Sequence, residues 1–322
     1  MLKFAKPEIG IRETRAVCDA LSRDRLTEGP IAAEFEQKFG ERFGGHAVAV
    51  SSCTAALHLS ALTLPKQTLR LPAMTHAATA LACEAAGHVV EFVDCNEAGI
   101  AHGCDVSVDF LGMEAPKGKI EDAATALHLK TYGDIACFSF YPAKQMTTGE
   151  GGMILCRDEK LAEELRRMRA FGKVMEPKFD VKAFGLNYRM SELNAALGCV
   201  QLKRLDEFIS KREENEKVLR EMLHDQFELI GNNYAISAIL PENIDRDAIR
   251  QKLSDNLVET SVYYPCPVPK LTYFKDPKAY PNAQRISSNS ITLSVGPHLT
   301  PSDMQVQAAL LRELCWLAVQ DS

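Results

Sequence analysis

Short β-forming runs alternate with helical stretches through the first two thirds of this chain, and that alternation limits the folds it can adopt. The predicted segments are strands at 89–93, 105–110, 135–140 and 153–155 and helices at 158–171 and from residue 191 onward. Such alternation favours a mostly parallel sheet that is sandwiched by helices. We therefore predict an α/β fold in which ligands bind near the strand ends.

The last third of the chain has a different pattern. Its predicted segments are strands at 234–240 and 291–295, helices at 246–256 and after Pro301, and a turn-rich stretch at 264–281. The helix after Ser191, a plausible N-cap, is long enough to connect two domains. A chain of 322 residues, 46% of them hydrophobic, can fill two cores. We predict a large domain at 1–206 and a smaller α+β domain at 207–322.

Composition argues against several classes of protein. The net charge of −6 and the lack of a basic stripe argue against a nucleic-acid partner. We find no membrane segment and no apolar core of a signal peptide, so we expect a cytoplasmic protein. The ten cysteines are scattered without a C-x-x-C pair, and we expect reduced thiols and no metal site.

Lys144 is the first candidate for catalytic chemistry. It lies between the aromatic strand end at 138–141 and the glycine-rich turn at 147–152. An amine that Phe138, Phe140 and Tyr141 partly desolvate should lose its proton more easily than a surface lysine and attack an aldehyde. The alternative is a solvated lysine on a loop, which is the commoner situation. Partner residues elsewhere in the chain have to decide between the two.

Asp122 is the first such partner. It ends a strand-like run, and the small residues Ala123 and Ala124 follow it, so a flat ring can approach. A pyridine ring accepts electrons only while its nitrogen is protonated, and a fixed carboxylate beside that nitrogen supplies the required charge. An N-cap for a helix at 123–127 is an equally open alternative.

The turn at 51–54 is the second partner. It follows the apolar run 47–50 and opens a helical pattern that includes Leu57. Free backbone N–H groups at a helix N-terminus, together with the positive end of the helix dipole, bind an anion without a basic side chain. The sequence therefore predicts a phosphate site, with Ser52 or Thr54 as a plain N-cap as the alternative.

Motifs along nearly the whole chain resemble the DegT/DnrJ/EryC1/StrS family of sugar aminotransferases, which are pyridoxal-phosphate (PLP) enzymes of fold type I, the aspartate-aminotransferase type. In family order they are 27–30, 48–57, 71–75, 121–124, 138–152, 187–190 and 263–265. One such motif is a weak signal, but the whole series in order is a specific one.

The resemblance implies a role for each candidate in binding PLP. Lys144 would hold the cofactor covalently and then shuttle the proton, and Asp122 would pair with the pyridine nitrogen. Cys53 and Thr54 would present backbone N–H groups to the phosphate, and Ser139 would add a hydroxyl group.

Three further roles follow from the same resemblance. Asn187 would reach the phosphate of the neighbouring subunit, which implies a homodimer with shared active sites. His76 would stack on the face of the cofactor, although a partly buried histidine at a helix start is the alternative. Thr125, where the family usually has glutamine, would donate a hydrogen bond to the phenolic oxygen of the ring.

Some positions depart from the family pattern. Cys53 replaces the usual glycine of the phosphate turn, and Asp109 replaces a usual histidine. Between Asp94 and Glu121 the chain is also short by about one helix of a βαβ crossover, which normally needs a dozen or more residues. We predict a direct loop between 110 and 120 that leaves part of one sheet face exposed or covered by another subunit.

The resemblance implies transfer of an amino group from an amino acid, expected to be glutamate, to a keto sugar that is linked to a nucleotide diphosphate. One alternative is an aminotransferase for a cyclitol or another non-nucleotide ketone. A second is a catalytically idle relative that binds PLP or sugar for regulation. Dehydratases of the family usually carry histidine in place of this lysine, so Lys144 argues against that activity.

Overall fold

The computed structural model describes residues 1–173 and 180–320. Its helices are α1 (Ile11–Leu21), α2 (Pro30–Phe43), α3 (Cys53–Leu62), α4 (Ala77–Ala85), α5 (Glu159–Met168), α6 (Glu192–Leu223), α7 (Arg246–Asp255), α8 (Pro281–Asn289) and α9 (Pro301–Gln320). Its strands are β1 (His46–Val50), β2 (Thr68–Pro72), β3 (Val89–Val93), β4 (Val106–Val108), β5 (Ile120–Asp122), β6 (Ile135–Ser139), β7 (Gly152–Cys156), β8 (Glu228–Ile230), β9 (Ala235–Ile239) and β10 (Ser290–Ser294).

The large sheet is mostly parallel, as predicted. Five strands follow the order β1-β7-β6-β5-β4, in which β4, β5 and β6 are parallel and β7 is antiparallel to both of its neighbours. The strands β2 and β3 form a parallel pair. The backbone N–H of Asp105 donates to the carbonyl of Arg70 over 2.8 Å, and this bond joins the pair to the edge at β4. The predicted α/β class is therefore confirmed.

Alternating side chains of the strands bury both faces of this sheet. On one face, Ile135 and Cys137 of β6 pack in a core that includes α3, α4 and α5. On the other face, Ala136 and Phe138 pack in a core that includes α2 and the first half of α6. The sheet is therefore sandwiched by helices, and its open side lies at the strand ends.

The C-terminal part has a core of its own. The antiparallel strands β8, β9 and β10 pack with α7, α9 and the end of α6. The helix α6 has 32 residues and reaches both cores, since Leu205 packs against the large sheet and Leu219 against the small one. Ser191 caps this helix by accepting from the N–H of Asn194. The predicted boundary after residue 206 falls inside α6, and a division there stays a prediction.

The connection from β4 to β5 is a loop, as predicted. Within the described residues it contains a single 3-10 turn, Phe110–Gly112, and no α-helix. The predicted strand at 105–110 ends early at Val108, because the chain turns through Leu111 (φ 51°) and Gly112 (φ 84°). The loop covers part of the sheet face, where Lys117 pairs with the buried Glu121 over 2.6 Å.

Arg70 on β2 is exposed, and its Nη1 donates to the carbonyl of Gly103 over 3.0 Å. Whether another subunit covers part of this sheet face stays a prediction. Nowhere in residues 1–173 and 180–320 is there a helix with the length and apolar character needed to cross a membrane.

Candidate active site

A cavity of about 400 Å³ lies at the carboxyl ends of β4, β5 and β6. Its walls include all but one of the residues that the sequence predicts for the site. These are Cys53, Thr54, His76, Asp122, Thr125, Ser139 and Lys144. Asp122 and Ser139 end parallel neighbouring strands, so the sheet itself brings them to the same edge.

Lys144 lies in the loop that joins β6 to β7. Backbone hydrogen bonds close this loop, with the Phe140 N–H donating to Gly151 and the Thr148 N–H donating to Phe140, both over 3.0 Å. The N–H of Lys144 donates to the carbonyl of Tyr141 over 2.9 Å. The loop therefore holds a half-buried lysine at the cavity wall instead of leaving it in solvent.

The ring that contacts Lys144 comes from the C-terminal part of the chain. Its Nζ lies 5.1 Å from the ring centroid of Tyr234, within cation–π range. Tyr141 lines the same cavity as Lys144, but Phe138 and Phe140 pack against Phe39 on the opposite face of the sheet. The expectation that these two phenylalanines desolvate the amine is therefore wrong, because the strand directs their side chains to the other core.

Asp122 is 6% exposed and is held by two hydrogen bonds. The hydroxyl of Thr79 donates to Oδ2 over 2.8 Å, and the N–H of Ala124 donates to Oδ1 over 3.2 Å. No helix follows Asp122, so the N-cap alternative does not apply. Burial raises the pKa of Asp122, against the lowering by the Thr79 and Ala124 bonds and by Lys144. A cation beside this carboxylate would favour its ionised form.

Thr79 was not identified from the sequence. It lies on α4, and its hydroxyl also contacts the hydroxyl of Thr75 over 2.8 Å. Both threonines are buried. The only sequence signal was the spacing of Thr75 and Thr79 by four residues, although Thr75 lies just before the N-cap of α4 and outside the helix.

The N-terminus of α3 opens into the cavity. Ser52 is its N-cap and accepts from the N–H of Ala55 over 3.1 Å, so the capping alternative holds for this residue. Cys53 and Thr54 occupy the first turn, where backbone N–H groups lack intrahelical acceptors. The turn can therefore cap α3 and also bind a phosphate, because the cap uses the N–H of Ala55 and not those of Cys53 and Thr54.

The thiol of Cys53 turns toward Asp122. Its Sγ lies 4.0 Å from Oδ1 of that carboxylate. Burial, and then the charge of Asp122, raise the pKa of this thiol well above its ordinary value. Cys53 therefore presents a neutral thiol, a weak donor, to the carboxylate.

His76 lies at a helix start, as in the alternative, but its side chain is exposed and not partly buried, and stacking on the cofactor stays a prediction. It is the N-cap of α4, where its Nδ1 accepts from the N–H of Ala78 over 3.2 Å. It also lines the cavity, with its ring centroid 5.9 Å from that of Tyr264. Desolvation by neighbouring residues, and then the charge of Lys144, lower the pKa of His76. This favours the neutral imidazole, the form best suited to stacking on a flat ring.

The hydroxyl groups of Thr125 and Ser139 differ in whether their proton is available to a ligand. Thr125 donates to the carbonyl of Asp109 over 2.8 Å and accepts from the N–H of Gly112. The hydroxyl proton of Thr125 is therefore already donated to the loop after β4 and is not available to a ligand. Ser139 accepts from the N–H of Tyr141 over 3.4 Å and keeps its proton for a ligand.

Asn187 lies outside this cavity wall. It is exposed, and its Oδ1 accepts from Nε of Arg189 over 3.0 Å. Its predicted contact with the phosphate of a neighbouring subunit stays a prediction.

Aromatic residues from the C-terminal part close the cavity opposite the sheet. The hydroxyl groups of Tyr234 and Tyr263 lie 3.0 Å apart, and Tyr264 packs beside Phe110. Burial raises the pKa of both hydrogen-bonded tyrosines, so they stay neutral. Among the described residues that line this cavity, Lys144 is the one lysine or arginine. In the described part of the chain, no group of His, Cys, Asp or Glu is arranged to hold a metal ion.

Comparison with known proteins agrees with this geometry. A family model described as the DegT/DnrJ/EryC1/StrS aminotransferase family matches residues 7–102 and 119–311. The chain belongs to this family. Membership confirms the resemblance found in the sequence and the prediction of an aminotransferase enzyme. The unmatched residues 103–118 contain most of the short connection between β4 and β5.

Individual relatives and solved structures extend the comparison over nearly the full chain. GDP-perosamine synthase of Escherichia coli O157:H7 is 28% identical over 92% of this chain and 93% of its own length. A UDP-4-amino-4,6-dideoxy-N-acetyl-beta-L-altrosamine transaminase of Campylobacter jejuni is 32% identical over 66% of this chain and 67% of its own.

Among solved structures, the aminotransferase TlmJ from Streptoalloteichus hindustanus is 26% identical, with a TM-score of 0.88 and 98% of both chains covered. Helicobacter pylori PseC, an aminotransferase of pseudoaminic acid biosynthesis, has a TM-score of 0.89 at 21% identity, covering 97% of this chain and 98% of its own. At 21% identity, the likeness to PseC shows a shared fold and nothing more.

Proposed function

We propose that this protein is a PLP-dependent aminotransferase that moves an amino group from an amino acid to a keto sugar. The observation that carries the proposal is the meeting of Lys144 and Asp122 in one cavity of about 400 Å³. An amine and a buried carboxylate on the walls of one cavity match the two groups that a pyridoxal ring requires. Family membership supports the same reaction.

The cavity also fits the remaining parts of PLP. The N–H groups of Cys53 and Thr54 at the start of α3 suit the phosphate, and Ser139 offers a hydroxyl proton beside them. His76 suits one face of the ring, and Asp122 suits its nitrogen. When bound, PLP supplies an aldehyde that condenses with amines and a ring that accepts electrons.

The side chains then divide the work of the reaction. The amine of Lys144 holds the cofactor at rest and, once released, removes the proton from the α-carbon of the amino donor. In the second half of the reaction, Lys144 delivers a proton to the carbon that receives the amine. Asp122 keeps a proton on the ring nitrogen throughout. Tyr234 and Tyr263 limit the access of water.

For the substrate we propose a nucleotide-linked keto sugar, with glutamate as amino donor. Two relatives support the nucleotide, since their names contain a GDP-linked and a UDP-linked sugar. A cyclitol or another non-nucleotide ketone is the second candidate. It is favoured by one observation, because the described cavity wall has no arginine and no lysine except Lys144 to pair with a diphosphate.

The test combines trapping of the cofactor with a substrate comparison. Borohydride reduction of protein loaded with PLP, followed by peptide mass spectrometry, should label Lys144. Amino transfer from glutamate should then be faster with a nucleotide-linked keto sugar than with the same sugar lacking its nucleotide or with a cyclitol ketone. Labelling at another residue would contradict the proposed cofactor site. Equal rates with and without the nucleotide would contradict the proposal of a nucleotide-linked substrate.

We further propose a cytoplasmic homodimer in which Asn187 of each subunit completes the phosphate site of the other. Support comes from the exposure of Asn187 outside its own cavity. A stable monomer in sedimentation experiments with PLP present would contradict this part of the proposal.

A further inference from the structure

A second, much smaller cavity lies behind Lys144. Its volume is about 20 Å³, and it shares Ala143, Lys144 and Tyr234 with the large cavity as common walls. Its other walls come from the N-terminal segment, from the β6–β7 loop, from α6, and from the end of β10 with the residues that follow it. Apart from Lys144, the proposed reaction uses none of the polar groups that face it from those elements.

Arg212 on α6 is the central charged group of this cavity wall. It is 6% exposed, and its Nη1 donates to the carbonyls of Tyr234 (2.9 Å) and Asn233 (3.3 Å). Its Nε is buried and has no acceptor among the described residues. Burial lowers the pKa of Arg212 to about 10, and Tyr234 is the one group that opposes this shift.

Among the described residues, no carboxylate forms an ion pair with the buried guanidinium or shifts its pKa. Glu8 is the single carboxylate residue in the cavity lining, and it is not among the groups that shift the pKa of Arg212. A buried charge without a counter-charge is strongly destabilising. Backbone carbonyls offset part of that cost, but they leave the net charge in place.

His298 faces the same cavity with an unused nitrogen. Its Nε2 lies 2.9 Å from the carbonyl of Lys3, so Nε2 carries the proton and Nδ1 is the free position of the neutral ring. Nδ1 is buried without a partner among the described residues. Burial, Arg212 and Lys6 lower the pKa of His298, while the Lys3 carbonyl and Glu8 raise it. An anion in the cavity would favour protonation of Nδ1.

The size of the cavity restricts the ligand. A space of about 20 Å³ holds a single water or a monatomic ion, since one water needs roughly 10–15 Å³ by the same measure. An amino acid or a sugar is too large. A water molecule would leave the charge of Arg212 uncompensated, whereas an anion would compensate it.

We propose that this cavity binds one chloride-sized anion between Arg212 and the protonated ring of His298. The hydroxyl of Ser294, which accepts from the N–H of Gly296 over 3.1 Å and keeps its own proton, provides a further donor. Because Lys144 forms part of the same wall, the bound anion places a negative charge on the side of the lysine opposite the reaction cavity. The site does not depend on the proposed aminotransferase reaction.

Bromide is the direct probe of the site. Crystals of the wild-type protein soaked in sodium bromide should show an anomalous peak within hydrogen-bond distance of Arg212. Arg212→Gln should lose the peak, and Lys217→Gln, at an exposed position on the same helix, should keep it. A cavity that holds only water under these conditions would overturn the proposal.

A solution experiment on the wild-type protein covers the case in which Arg212→Gln does not fold. At equal ionic strength, Tm should be about 2 °C or more higher in sodium chloride than in sodium gluconate, whose anion is too large for the cavity. The difference should be larger at pH 6 than at pH 8, because anion binding requires a proton on His298. In His298→Gln the pH dependence should disappear. Equal Tm values in the two salts at both pH values would refute the site.

Discussion

At the scale of single residues, the proposed chemistry depends on how firmly each side chain is held. Asp122 is fixed by Thr79 and by the N–H of Ala124. Within the described part of the chain, the charged end of Lys144 has a contact with the ring of Tyr234 and no hydrogen bond. This difference suits the two roles. A group that keeps a charge in one place should be rigid, and a group that moves protons between two partners must be able to move.

Replacement of the lysine tests the central role. Lys144→Ala should lower turnover by at least about 10³-fold, because one side chain provides both the covalent attachment and the base. The aminated form of the cofactor should still bind, and borohydride should no longer label the protein. Lys130→Ala, at an exposed position, is the matched control. Substantial activity in Lys144→Ala would contradict the assignment.

Replacement of His76 tests stacking on the cofactor. His76→Ala should weaken retention of PLP by about tenfold, since it removes an aromatic contact and the N-cap of α4. His76→Asn restores a capping group without the ring and should remain weak. Retention of PLP during dialysis is the measurement. Wild-type retention in His76→Ala would end the stacking hypothesis.

Thr79 is expected to act on the cofactor through Asp122. Thr79→Val removes the hydroxyl at nearly constant volume and should weaken PLP binding by about 10–100-fold, the worth of one hydrogen bond to a charged group. Thr79→Ser should restore binding. The absorbance of bound PLP as a function of pH separates this role from a loss of stability, because a less firmly held carboxylate should let the ring nitrogen lose its proton at lower pH. Unchanged affinity and spectra in Thr79→Val would contradict the role.

At the scale of elements, the short connection from β4 to β5 replaces a helix with a buried polar cluster. Asp109 and Glu121 are both 0% exposed, and Lys117 pairs with Glu121. Burial, and then Glu121, raise the pKa of Asp109 to about 9, against the lowering by Ala115 and Lys117. The same loop holds Thr125 through the carbonyl of Asp109, so the missing helix also affects the cavity wall.

This cluster predicts how stability changes with pH. Asp109 keeps a proton in the folded state up to about pH 9, while in the unfolded chain it loses that proton near pH 4. The unfolded state therefore binds fewer protons between these values, and the free energy of unfolding should fall as pH rises through this window. Asp109→Asn should reduce the slope in urea unfolding between pH 5 and pH 8.

The control for this prediction is Asp134→Asn, whose side chain is 88% exposed and which should leave the slope unchanged. An Asp109→Asn variant with the wild-type slope would show that Asp109 is ionised in the folded protein.

At the scale of the whole molecule, both parts of the chain form the reaction cavity. The sheet provides Asp122 and Ser139, and the C-terminal part provides Tyr234, Tyr263 and Tyr264. The helix α6 packs in both cores, and the buried Arg212 on it binds the backbone next to Tyr234. The position of the tyrosine wall relative to Lys144 therefore depends on this helix.

Subunit mixing tests the proposed sharing of sites between two copies of the chain. Lys144→Ala and Asn187→Ala should each be weakly active as homodimers. An equal mixture after subunit exchange should recover about a quarter of wild-type activity, since half of the dimers are mixed and each has one intact site. Mixing Lys144→Ala with itself is the control. No recovery, with mixed dimers present by native mass spectrometry, would contradict a shared site.

The sequence by itself determined the features that depend on neighbouring residues. Hydrophobic periodicity located the elements that it did predict, such as β3, α5 and α7, to within a few residues. Ser191 was identified as an N-cap because capping acts within one helical turn. Lys144 and Asp122 were identified because each lies in a continuous motif. The short connection was likewise evident, since no helix fits into so few residues.

Only the tertiary structure decided which distant groups meet. Lys144 lies beside Tyr234 and not beside Phe138 or Phe140. Asp122 accepts a hydrogen bond from Thr79. The hydroxyl of Thr125 is used by Asp109. The physical reason is that each of these contacts follows from which faces the two cores bury, and burial is a property of the packed chain and not of any local run of residues.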